Sequence, residues 1–162
     1  MRLFADEDYV SLRTTLLENI DICRQSKVWY LLAAMKDLLG RLEKREGNFS
    51  EALRQFRQSL PIFWRDGNGG AIPVTVLLIA VTKEQQGDLE DAVVLAAAVK
   101  RMRVPARQKW KGPDKLIERA RNDMDETQLG AALRRGDKMS DAEAVGFALR
   151  EDAESPVREI VK

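Results

Sequence analysis

Apolar residues over the first hundred positions recur at the three-to-four-residue spacing of helices that bury one face. Leu12, Leu16, Leu17 and Ile20 predict a helix over 6–24. Leu31, Leu32, Met35, Leu38, Leu39 and Leu42 predict a second over 30–45, with a wide apolar face that has to be buried. A third is expected over 48–64, kinked or ended early at Pro61, whose ring removes a backbone donor and clashes with the preceding turn. The next follows Gly67-Asn68-Gly69-Gly70 and runs to 86, with Pro73 in the first turn, where a missing amide matters little. The glycines lack a preceding strand and a following lysine, so they read as a flexible hairpin connection rather than an anion site. A fifth helix is expected over 88–103.

The pattern repeats. Gly47-Asn48-Phe49-Ser50-Glu51-Ala52-Leu53 returns forty positions later as Gly87-Asp88-Leu89-Glu90-Asp91-Ala92-Val93. The same shift carries Leu32, Leu38 and Leu39 onto Ile72, Leu78 and Ile79, and Tyr9, Leu12, Leu16, Ile20 and Cys23 onto Phe49, Ala52, Phe56, Leu60 and Phe63. The chain therefore holds a half unit lacking its first helix, then two full units. Such a period means stacked supersecondary units. It also decides the β-branched run 74–81, which propensity alone would make a strand: the leucine-rich segment forty residues earlier holds the same register, and no second strand candidate exists to pair with it. In each glycine motif the glycine ends a helix at positive φ. Asn48 or Asp88 is expected to accept from the next helix's free amides, with Glu51 and Asp91 at the capping-box position. No calcium-loop spacing of oxygen ligands is present there.

Beyond residue 104 the period fails. A basic linker is expected over 105–112, capping helices over 113–124, 125–135 and 140–151, and a tail over 153–162, so that repeats occupy 1–104 and a cap 113–152. Pro113 suits a first helical position, and Asp125 with Gln128 and Ser140 with Glu143 make capping boxes. Leu116, Ile117, Leu129, Leu133, Val145, Phe147 and Leu149 are available to cover the apolar end of the stack, as a terminal unit must. The fold class expected is all-α, an antiparallel helix-hairpin solenoid of about five repeat helices with a C-terminal helical cap.

Composition narrows the chemistry. The 162 residues are 44% hydrophobic and 33% charged, with net charge +1, which suits one globular domain. There is no histidine and one cysteine, Cys23, so histidine-ligated metals, Ser-His-Asp and Cys-His catalysis and a disulfide framework are excluded within one chain. Cys23 sits in the helical pattern as a core residue, and Trp29 and Trp64 read as packing residues. Surface carboxylates such as Asp88, Glu90 and Asp91 need no catalytic role, and neither an enzyme nor a cofactor is expected. Acidic Asp6, Glu7 and Asp8 stand where an export signal needs a basic start, and the longest apolar run is far short of the roughly 20 residues of a membrane span. A cytoplasmic protein without a membrane contact is the expectation.

Leu39-Gly40, Gly47, Ala52 and Phe56 resemble the tetratricopeptide motif, and Ile79, Gly87 and Ala92 repeat it with Ala80 and Ala96 in place of glycine and phenylalanine. The period of forty makes this a longer, degenerate variant. The segment from Leu39 to Leu149, with its proline-bearing linker and Met139-Ser140-Asp141-Ala142-Glu143-Ala144-Val145, is similar to the carboxy-terminal helical-repeat region of bacterial transcription regulators and predicted signalling ATPases. The resemblance implies a protein- or peptide-docking module, either excised from a larger regulator or a small stand-alone relative. Tetratricopeptide geometry would line a concave groove with Ala34, Asp37, Arg41 and Lys44, then Val74, Leu77 and Val81. The arginine and lysine would steer an acidic-hydrophobic peptide, and Leu77 and Val81 would supply buried area. Such a strip also suits the protein's own capping helices or a second copy of the chain. A small-ligand pocket between groove and cap is the rival reading. A further anionic-partner patch is the run Lys100, Arg101, Arg103, Arg107, Lys109 and Lys111 with Trp110. A near-neutral chain without a nucleic-acid motif sets nucleic acid behind the protein partner.

Overall fold

The computed structural model describes residues 6–102 and 111–151. They form eight helices and no strand: α1 (Asp6–Gln25), α2 (Trp29–Arg45), α3 (Phe49–Arg65), α4 (Ala71–Gln86), α5 (Leu89–Arg101), α6 (Gly112–Ala120), α7 (Glu126–Lys138) and α8 (Asp141–Ala148). The run 74–81 is helical, inside α4. From α1 to α5 each helix packs on the next in order, as very short connections require.

One backbone device makes all four of those connections. Lys27, Gly47, Gly67 and Gly87 have φ of 56°, 84°, 66° and 89°, so a left-handed residue falls every twenty positions. The N–H of the following residue donates five residues back, Val28 to Cys23, Asn48 to Glu43, Asn68 to Phe63 and Asp88 to Lys83, at 2.9–3.0 Å. This is the Schellman closure of a helix end. Three of the four positions hold glycine, for which the conformation is free; lysine at the fourth holds its Cβ against the following carbonyl. Lys27→Gly is therefore expected to raise stability by ~0.5–1 kcal/mol, read as a higher urea midpoint at unchanged slope.

The turn side chains behave differently from expectation. Neither Asn48 nor Asp88 caps the helix that follows with its side chain. Asn48 Nδ2 donates instead to Glu43 Oε2 (2.8 Å), and Asp88 Oδ2 accepts from Lys83 Nζ (2.7 Å), with Asp91 Oδ2 also accepting from that ammonium (3.1 Å). Glu43 and Lys83 are equivalent under the forty-residue shift and both are buried. A buried charge needs a partner more than a helix end needs a side-chain cap, since water can satisfy the latter. Of the two outcomes expected at Pro61, the early end does not occur: the third helix continues to Arg65, with Leu60 and Phe63 buried and the proline ring exposed. Ser140 does form a capping box with Glu143, and Asp125 accepts from the Gln128 amide. The Gly67–Gly70 connection is fastened by Asn68 Oδ1, which accepts from the amides of Gly70 and Ala71.

The main core runs through α2–α8, around Phe56, Leu60, Val76, Ile79, Val93, Leu95 and Leu116. All seven apolar residues expected to close the stack join it: Leu116, Ile117, Leu129, Val145 and Phe147 are buried, and Leu133 and Leu149 are partly so. α7 lies on α5 at its closest through Gly136. Arg119 of α6 makes a two-pronged pair with Glu84 of α4 (2.7 and 2.6 Å), and Arg57 of α3 donates to the Ala148 carbonyl of α8 (3.2 Å). A smaller cluster of Leu16, Ile20, Cys23, Leu32, Leu39 and Leu42 joins α1 to α2. Cys23 is accordingly a core residue.

The second-helix face is only half buried, contrary to the reading of its pattern. Leu31 and Leu38 are 46% and 47% exposed, and on α1 Leu12 and Leu17 are 46% and 47% exposed. Spacing tells which side chains share a face; whether a neighbour lies over it is a tertiary fact. No helix among the described residues is long and apolar enough to cross a membrane.

Candidate partner-docking site

The concave strip read from the sequence is partly spent on the fold. Asp37 is buried and bridges two helices: Thr75 Oγ1 donates to its Oδ1 (3.1 Å) and Arg41 Nε to its Oδ2 (2.8 Å). Lys44 is half-buried, and burial, then repulsion from Arg41 and Arg119, holds its ammonium below the usual lysine range. Leu77 is buried in the main core, while Val74 and Val81 are half-buried, Val81 packed against that core. α6 and α8 both pack on α4, as the self-packing alternative requires. Of that set Arg41 keeps the most accessible side chain, 46% exposed.

The basic segment is divided. Lys100 Nζ pairs with Asp114 Oδ1 at 2.7 Å, and Arg101 Nη1 donates to the carbonyls of Asp137 and Met139, so both tie α5 to the cap. Lys111 is exposed ahead of α6. Arg103, Arg107, Lys109 and Trp110 lie outside the described residues. The adjoining cleft, about 770 Å³, sets Lys100, Lys111, Lys115 and Arg121 against Asp114, Glu118 and Asp137. Such mixed charge is not a cationic track for phosphates.

One apolar opening among the described residues is not singled out by the sequence. Between α1 and α2 lies a cleft of about 570 Å³ floored by Leu12, Leu16, Leu38 and Leu42. Asp8 and Tyr9 line it from α1, Arg41 and Arg45 from α2, and the Arg45 guanidinium stands 5.1 Å from the Tyr9 ring centre. Two of its lining residues, Leu12 and Leu38, are themselves large apolar side chains left exposed. Of ten large apolar side chains exposed among the described residues, nine fall between Val10 and Leu38, and the tenth is Trp64. Trp29 and Trp64, read as packing residues, are 42% and 41% exposed. The C-terminal side of the stack has its apolar surface covered by α6–α8; the first hairpin does not. The sequence signal pointing here was the forty-residue shift, which sets α1 in register with α3 and, within the given residues, sets no helix ahead of it in register with α2.

No protein-family model matches this chain, and comparison with curated proteins and with solved structures returns no match either. The functional reading therefore rests on the residues themselves. Isolated exposed apolar side chains are ordinary on a protein surface, whereas a contiguous patch with a charged rim is the usual form of a docking surface.

Proposed function

We propose that this chain is a non-catalytic, tetratricopeptide-like helical-repeat module that captures a protein or peptide segment. The observation that carries the reading is the concentration of exposed apolar side chains on the first hairpin, two of which, Leu12 and Leu38, line a cleft with an arginine edge. The repeat architecture is supported by left-handed turns at twenty-residue intervals, by the sequential packing of α1–α5, and by Gly40 of α2 seated on the Phe56 ring, both residues being motif positions. The likeness of the segment from Leu39 to Leu149 to the repeat regions of bacterial regulators supports a partner belonging to transcriptional or signalling control.

Leu12→Glu with Leu38→Glu is the direct test. Both side chains are nearly half exposed, so the fold should survive, with an unchanged helical circular-dichroism spectrum and a stability change within about 1 kcal/mol. Capture of a protein partner from cell extract should fall at least tenfold. Unchanged capture would overturn the reading, and saturable heat on titration with metabolites, kept by the double variant, would favour a small-ligand sensor instead.

A further inference from the structure

The interaction-module reading leaves the occupant of the α1–α2 cleft open, and the repeat together with the charge of the rim constrains it. A shift of forty positions carries Leu12 and Leu16 onto Ala52 and Phe56 of α3, and Leu38 and Leu42 onto Leu78 and Thr82 of α4. One unit along, a helix occupies that side. α2 packs on both α3 and α4, with Gly40 against the Phe56 ring and Asp37 held by Thr75. Leu16 is thus the counterpart of the residue on which α2 sits, and the cleft it lines lies where a helix packs one unit along.

The rim supplies the second constraint. Its α2 edge carries Arg41 and Arg45, and among the described lining residues Asp8 is the one carboxylate, on the opposite edge. Arg41 uses its Nε on Asp37, while a guanidinium has five N–H donors. Arg45 stands over Tyr9. An incoming helix with basic residues along that edge would meet like charge; one with glutamates or aspartates would meet a pair of fork-shaped donors. The geometry points to an amphipathic α-helix of a partner protein as the occupant, seated on α1 and α2 as α2 sits on α3 and α4. Its apolar stripe lies on Leu12, Leu16, Leu38 and Leu42, and its acidic edge faces Arg41 and Arg45. This is helix-in-groove recognition, with side chains at i, i+3, i+4 and i+7 as anchors.

The experiment uses the full chain and two synthetic helix-favouring peptides that share one alanine-leucine stripe, one flanked by glutamates and the other by lysines. Fluorescence anisotropy reads affinity, and sedimentation velocity reads the mass of the unliganded chain. The glutamate peptide is expected to bind at least about tenfold more tightly than the lysine peptide, with a preference that shrinks as salt rises. Arg45→Glu combined with Arg41→Gln, which keeps a donor for Asp37, should reverse the preference, and Leu38→Glu should abolish binding of both. Equal affinities, a preference the arginine variant leaves intact, or no binding of either peptide would overturn the proposal. So would a wild-type dimer that Leu38→Glu dissociates, since a second copy would then be the occupant. If both peptides fail while Leu12→Glu with Leu38→Glu still loses the extract partner, the helix is removed and the module stands; if capture is untouched, the module falls.

Discussion

Gly136→Ala is expected to destabilise the protein by about 2–3 kcal/mol, although alanine is the better helix former by about 1 kcal/mol. A methyl group at that position would lie 2.2 Å from the Val94 carbonyl oxygen, 2.7 Å from Ala97 Cβ and 3.1 Å from the Ala98 amide nitrogen. Two of these atoms are backbone of α5, so no side-chain rotation relieves them. α7 has to move away from α5, opening the packing of residues at the centre of the core. Gly146, on α8, is the control: a Cβ there meets nothing within 4 Å, and Gly146→Ala should leave stability unchanged or raise it by up to about 1 kcal/mol. Urea denaturation of the two variants reads the difference directly. Equal midpoints would mean that α5 and α7 are not in the contact described.

The second large effect is a coupling. Gly40→Ala would put a methyl 2.6 Å from Cε1 of Phe56, a ring that is fully buried and has no room to turn, and should destabilise by about 2 kcal/mol. Phe56→Ala, which empties that place, should destabilise by about 3–5 kcal/mol. The double variant is expected to be more stable than the sum of the singles implies, by about 1 kcal/mol or more, because the new methyl moves into space the ring has left. The protein itself supports this expectation: one unit on, Ala80 and Ala96 stand at the same two places, both fully buried. A double-mutant cycle by chemical denaturation checks it, and strict additivity would separate the two positions.

That pair shows how much of the fold was legible. Read along the chain, Ala80 and Ala96 are two departures from the tetratricopeptide motif; seen across the helix interface, they are one exchange of a large residue and none for two small ones. Helix positions were readable because spacing and local stop signals act within a few residues: Ser140 forms the capping box its sequence implies, and Asp125 forms the N-cap half of its own. The forty-residue period was readable too, but its division into twenties was hidden by Lys27, which adopts a backbone conformation that its identity does not announce. Asn48 and Asp88 were misjudged because their real partners, Glu43 and Lys83, become buried only once the hairpins close. The candidate site was legible in part. Motif spacing named Arg41, whose side chain is exposed; Leu38 was expected on a covered face and is half exposed, and Leu77 was expected in a groove and is buried. Spacing sets which side chains share a helix face, whereas what lies over that face is set by how the helices pack.

The unequal ends of the array limit what it can build. A stack with both ends open would add copy upon copy, head to tail, into a filament, because each newly exposed surface equals the one just covered. Here α6 and α8 pack on α4 and α5 while the first hairpin keeps its apolar side chains exposed, so the two faces differ, and head-to-tail addition would lack the matching second surface that a fibre needs.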